Sequence, residues 1–201
     1  MSVDVPARRG RRLEPDARRE QIFECARTLF LAGDYSAVST GDIAAAAGVA
    51  RGLINHYFGT KRALYLEVLR ESLTLPPIPE LDLPQGSLEE QVTAGVTWFV
   101  EFVWRNRQAW IALSGVGPAA DQDIRQIVHE AEETCTDRLL AAIELGERLV
   151  DEGSRATIRA FAGMVRATAA EWLVRGSMDR ERVRELLSCC LLAILRDVLA
   201  P

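Results

Sequence analysis

The sequence predicts an all-α protein, with a small N-terminal helical bundle joined to a larger C-terminal helical domain. Three observations carry that expectation. Apolar residues recur at helical spacing over most of the chain. No segment alternates apolar and polar residues as a half-buried strand would. The interruptions between stripes hold Gly, Pro, Asn and Asp. A chain of 201 residues, 48% hydrophobic and 26% charged, has the composition of a packed globular protein and room for a small domain attached to a larger one.

The elements follow in order. Residues 1–13, with Arg8, Arg9, Arg11 and Arg12, read as a disordered arm. Pro15 and Asp16 suit a first helical turn, where proline's missing N–H costs nothing and a carboxylate meets the positive end of the helix dipole. Ile22, Phe23, Ala26, Leu29 and Phe30 then form one apolar face, ending near Gly33-Asp34. Ser39-Thr40-Gly41-Asp42 matches a capping box for a short helix from Thr40 to about Ala47, with Gly48 as a left-handed stop. A third helix is expected from about Ala50 to Phe58. A fourth begins near Thr60 and runs through Leu64, Val68 and Leu69 toward Leu75. Pro76, Pro77, Pro79, Pro84 and Gly86 mark a linker. Beyond it, helices are expected at about 88–104, 106–115, 121–146, 154–175 and 179–199. The expected domains are the arm at 1–13, a DNA-binding unit at 14–60, and a connecting helix with a C-terminal domain at 61–201.

The net charge of −5 argues against nucleic acid until its distribution is read. Residues 1–75 hold 11 Lys+Arg against 9 Asp+Glu, whereas residues 76–201 hold 13 against 20, so the basic excess is N-terminal. Cys25, Cys135, Cys189 and Cys190 contain no C-x-x-C pair and read as four reduced core thiols of a cytoplasmic protein. The longest uncharged stretch, Gln108 to Ala120, is too short for a bilayer, so no membrane partner is expected. His129 stands among Glu130, Glu132 and Glu133, a pattern that usually forms a solvated helix face, and no metal or cofactor is expected. No nucleophile-base constellation or phosphate-cradling glycine loop points to an enzyme.

The two short helices around Gly48-Val49 have the spacing of a helix-turn-helix. Ile43, Ala44, Ala47, Ile54 and Phe58 face inward and Val49 fills the corner, while Arg51, Gly52, Asn55 and His56 lie on the outer face of the second helix. Such a helix can enter a major groove, with Arg51 donating to a guanine edge, Asn55 pairing an adenine edge and Gly52 admitting close backbone approach. Ser39, Thr40 and Lys61 stand at helix N-termini, where phosphates are held.

Residues 18–70, above all Ser39 to Val49, Gly52 and Tyr57-Phe58-Gly59-Thr60-Lys61, resemble the DNA-binding domain of the tetracycline-repressor (TetR) family. The resemblance implies a helix-turn-helix at about 39–58, a long helix leading to a ligand domain, a homodimer and palindromic operator DNA. It implies phosphate contacts at Thr40, Tyr57 and Lys61 and groove contacts around Arg51, Gly52, Leu53 and Asn55. Two positions depart from the pattern. Ala50 stands where a hydroxyl residue often caps the recognition helix, and Asn55 where a tyrosine often meets phosphate.

In the C-terminal domain Trp98, Phe102, Trp110, Phe161, Met164 and Trp172 can line an apolar cavity, with Ser114 and Thr168 as polar anchors. The resemblance implies a small-molecule effector there, expected to be apolar or aromatic. Val183, Leu187, Cys190, Leu191, Ile194 and Val198 form a stripe wide enough for a core and a partner, and a two-fold helical interface is the family expectation. The combined expectation is a cytoplasmic repressor released from its operator by a ligand. The alternative is a ligand-binding helical protein whose operator binding has weakened, kept open by Ala50 and Asn55.

Overall fold

The computed structural model describes residues 14–114, 121–144 and 151–199. The arginine-rich arm at 1–13 lies outside them, as does the side chain of Ser114. The described residues form helices and connecting turns and contain no strand.

The head is built from α1 (Pro15–Ala32), α2 (Thr40–Ala46) and α3 (Gly52–Phe58). Ile22, Phe23, Ala26 and Phe30 of α1 pack on Ile43, Ala44, Ala47, Ile54 and Phe58, and Val49 is half-buried against the same core. The turn between α2 and α3 closes because Gly48 adopts φ +62°, a conformation L side chains resist. The N–H of Val49 returns to the Ala44 carbonyl at 2.9 Å, satisfying a helix-end acceptor.

α4 (Lys61–Leu73) serves two cores at once. Leu64 and Val68 complete the head, while Leu66, Leu69 and Leu73 pack on Ala109, Ile127 and Val128 of the body. A boundary drawn at residue 60 therefore cuts through the head's core. The helix spans 13 residues rather than reaching Leu75, because Pro76 biases the residue before it toward extended backbone.

The body contains α5 (Leu88–Arg105), α6 (Arg107–Ser114), α7 (Gln122–Glu144), α8 (Glu152–Ala170) and α9 (Arg180–Ala193). α8 and α9 each run on into a wider π-helical turn, Glu171–Arg175 and Ile194–Val198. Val92, Val96 and Val100 of α5, Leu140 of α7, Ile158 and Phe161 of α8, and Val183, Leu187, Leu191 and Leu195 of the last helix form the body core.

Candidate DNA-binding element and effector cavity

The face expected to meet DNA is organised by caps. The Ser39 hydroxyl accepts the Asp42 N–H at 3.1 Å and the Ser39 N–H donates to the Asp42 carboxylate at 2.8 Å, closing the expected capping box. Hydrogen bonding to the carboxylate by Ser39, its side chain first and its backbone N–H second, holds the Asp42 carboxyl below the usual carboxylate range. α3 begins at Gly52, later than expected, with no side-chain cap; Arg51 occupies the capping position. Its Nε instead donates to the Thr40 hydroxyl at 2.9 Å, bringing together two residues expected to meet DNA separately. Gly52, Asn55 and His56 are exposed, whereas Leu53 and Tyr57 are half-buried against the head core.

Lys61 is less free than its position suggests. Its Nζ donates to the Tyr35 carbonyl at 2.6 Å and lies 4.0 Å from the centre of the Tyr35 ring. An ammonium has three donors, so the group can hold this carbonyl and still reach a phosphate oxygen. The Thr60 hydroxyl accepts the Ala63 N–H at 3.0 Å and fixes the helix start that carries it.

The body encloses a cavity of about 440 Å³. α5 contributes Val92, Val96, Trp98 and Phe99, α6 Trp110, α7 Val128, Cys135 and Leu139, α8 Phe161 and Val165, and α9 Leu187 and Leu191. Its size and apolar lining match a small-molecule site. Burial pushes the Cys135 thiol up to about 11, so it faces the cavity as a neutral group.

Trp98, Trp110 and Phe161 line this cavity, but Phe102, Met164, Thr168 and Trp172 do not. On α8 the lining residues are Phe161, Ala162, Val165 and Arg166, a single stripe. Met164 lies off it and packs in the body core, and Thr168 is buried two turns past Phe161. Phe102 stacks on Trp98 at 5.5 Å, and Trp172 stacks at 5.6 Å on Trp104, which is 44% exposed.

The stripe expected at a dimer seam is largely spent within the protomer. Val183, Leu187 and Leu191 are buried in the body core with the valines of α5, and Cys190 and Ile194 are half-buried against the same core. Val198 is 60% exposed. Nor are the cysteines all interior: Cys189 is exposed. His129 is exposed as well.

Sequence reasoning missed two features. The proline-rich segment is a wall rather than a spacer, since Leu75, Pro76, Ile78, Leu81 and Leu83 line the cavity. Four apolar residues set two or three apart along the proline-rich segment, Leu75, Ile78, Leu81 and Leu83, were the available signal. The second feature is α7. Near its start Arg62 of α4 holds Asp121 at 2.5 Å and Asp123 at 2.8 Å, and Arg70 approaches Glu130 at 3.5 Å. The same helix, further on, supplies Val128, Ala131, Glu132, Cys135 and Arg138 to the cavity.

Residues 22–68 match the family model for bacterial regulatory proteins of the tetR family, and residues 88–193 match the tetracyclin repressor-like C-terminal domain. The chain is 25% identical over 168 residues to the HTH-type transcriptional activator FasR of Mycolicibacterium smegmatis, covering 83% of this chain and 77% of that one. It is 33% identical over 73 residues to the HTH-type transcriptional repressor KstR2 of the same species, 36% of this chain and 33% of that one. Among solved structures, a tetR-family regulator from Streptomyces coelicolor superposes with TM-score 0.71 at 23% identity, over 94% of this chain and 84% of that one. Thermus thermophilus FadR, in complex with lauroyl-CoA, superposes with TM-score 0.60 at 23% identity, over 91% and 96%. The head with its helix-turn-helix and the body with its cavity thus each match their own family model, and the chain belongs to the tetR family of DNA-binding transcriptional regulators.

Proposed function

We propose that this protein is a homodimeric, cytoplasmic repressor that binds palindromic operator DNA through α2 and α3 and is released by a small, mostly apolar effector in the body cavity. The observation that carries this reading is the double attachment of α7: cavity lining along its length, and ion pairs to α4 from its start. A ligand that favours one placement of α7 biases the placement of α4, and α4 shares its core with the recognition helix. In a dimer, two recognition helices enter successive major grooves only when they sit about 34–36 Å apart, so small rotations of the head change affinity. Arg51, Gly52, Leu53, Asn55 and His56 are the proposed groove residues, and Ser39, Thr40, Tyr57 and Lys61 the proposed phosphate contacts. The proposed partner seam uses the surface of α8 and α9 left uncovered, including Val198.

The activator reading is favoured by one observation, the name of FasR, a relative matched over 83% of this chain. The two signs of control separate in a reporter assay, where deletion of the regulator raises transcription under a repressor and lowers it under an activator.

Selection of duplexes from a random pool tests the DNA reading. The expected product is a palindrome with half-sites about one helical turn apart or a multiple of it, in which Asn55→Ala relaxes one position per half-site by about 1–3 kcal/mol. A pool that never converges on a sequence overturns the operator reading and leaves a ligand-binding protein.

A further inference from the structure

We propose that the effector is a hydrocarbon carrying a single carboxylate, and that Arg138 is the residue that anchors its head group. The inference rests on the effector reading above and names the ligand's chemistry.

Among the described residues, three charged ones line the cavity: Glu132, Arg138 and Arg166. Arg166 Nε donates to the Glu132 carboxylate at 3.0 Å, so those two charges compensate one another. Arg138 is left as the excess cation of the lining. Its Nη1 is buried and has no hydrogen-bond partner among the described residues. A charged donor removed from water without an acceptor is unfavourable, and a carboxylate that enters the cavity and draws the guanidinium toward it removes that penalty. Among the described residues, no other group of the wall competes for it. Gln91 on α5 is neutral, and Cys135, one turn before Arg138 on α7, stays a protonated thiol. The remaining lining is mostly aliphatic and accepts a hydrocarbon body but offers a second charged group nothing to pair with. A fork of N–H donors on a rigid plane suits a carboxylate better than a hydroxyl, because both ligand oxygens can accept.

The position of Arg138 connects this chemistry to control. It stands on α7, the helix whose start is held by Arg62. A carboxylate that draws the Arg138 guanidinium therefore acts on the element that bears on the head.

The test uses the full-length protein and two probes of equal chain length, dodecanoate and 1-dodecanol, both below micellar concentration. Trp98 and Trp110 line the cavity and report occupancy by fluorescence. Dodecanoate is expected to bind the natural protein roughly ten- to a hundredfold more tightly than 1-dodecanol, the range of a charge-assisted hydrogen bond. Arg138→Met should bring that ratio close to one while retaining 1-dodecanol binding, and Arg138→Lys should keep part of the preference. Thermal melting establishes that each variant is folded. Equal affinities in the natural protein overturn the proposal, whatever the variants do, and so does a preference undiminished in folded Arg138→Met. Binding of neither probe overturns the effector cavity along with it. Carboxylate-selective binding that leaves DNA affinity unchanged supports the anchor and overturns only the regulatory reading.

Discussion

Lys61 is the single lysine of the chain, and its contacts would prepare it for the phosphate contact proposed above. The Tyr35 carbonyl and ring hold the ammonium at the start of α4, reducing the side-chain entropy lost when it meets a phosphate. Because a phosphate contact carries no base information, Lys61→Ala should weaken binding to all duplexes alike and lower the salt slope by about 1. Affinity measured against salt on selected and scrambled duplexes checks this; lost sequence preference at an unchanged slope would count against it. At this scale the sequence is legible where the chemistry is local. The capping box at Ser39 and Asp42 can be read from four consecutive letters, because both partners lie within one helical turn. Arg138 cannot be read that way. Its Nη1 has no partner among the described residues, and Glu132, the acidic residue of the described lining, is taken by Arg166 from α8, a pairing across 34 residues. The Thr40–Arg51 hydrogen bond spans 11 residues and was hidden for the same reason.

Elements show a second limit of sequence reading. The period of α9 correctly marks an apolar stripe but does not say which surface covers it, since a core and a partner subunit impose the same spacing. The structure assigns Val183, Leu187 and Leu191 to the protomer's own core. Leu187→Ala should therefore destabilise the folded protomer by about 2–5 kcal/mol, seen as a lower denaturant midpoint when the natural protein and the variant are compared at one protein concentration. Val198→Glu, at an exposed site, should leave the helical content of the protomer unchanged by circular dichroism and shift sedimentation toward monomer. A dimer that survives Val198→Glu places the seam elsewhere. The connection between α4 and α7 makes a different prediction. Arg62, Asp121 and Asp123 are surface groups whose attraction is screened by salt, so Arg62→Ala should change stability little. What it should reduce is the factor by which effector and DNA weaken each other. The Arg62 hydrogen bond holds the Asp121 carboxyl below its ordinary value. The pair's contribution is therefore full above about pH 4 and is lost as pH falls through the still lower value of the folded protein. Between about pH 5 and 8 the coupling should not vary on its account.

On the scale of the whole molecule, the division into a head and a helical body was legible because the proline-rich segment interrupts two helical patterns. The role of that segment was not, since its leucines are given a partner only when α5 and α7 close over them. The resulting molecule places a cavity and a DNA-binding head on two sides of a shared framework, α4 and α7. Regulation then requires the two sites to be coupled, and coupling between binding equilibria is reciprocal: if effector weakens DNA by some factor, DNA must weaken effector by the same factor. The direct measurement titrates an effector against tryptophan fluorescence, read through Trp98 and Trp110, with and without saturating selected duplex. The account predicts weaker effector binding in the presence of DNA, by the same factor that the effector imposes on DNA affinity, within the 5- to 150-fold or so usual for such coupling. Equal effector affinity in the two titrations would contradict it, leaving a cavity and a DNA-binding head that share a chain without controlling one another.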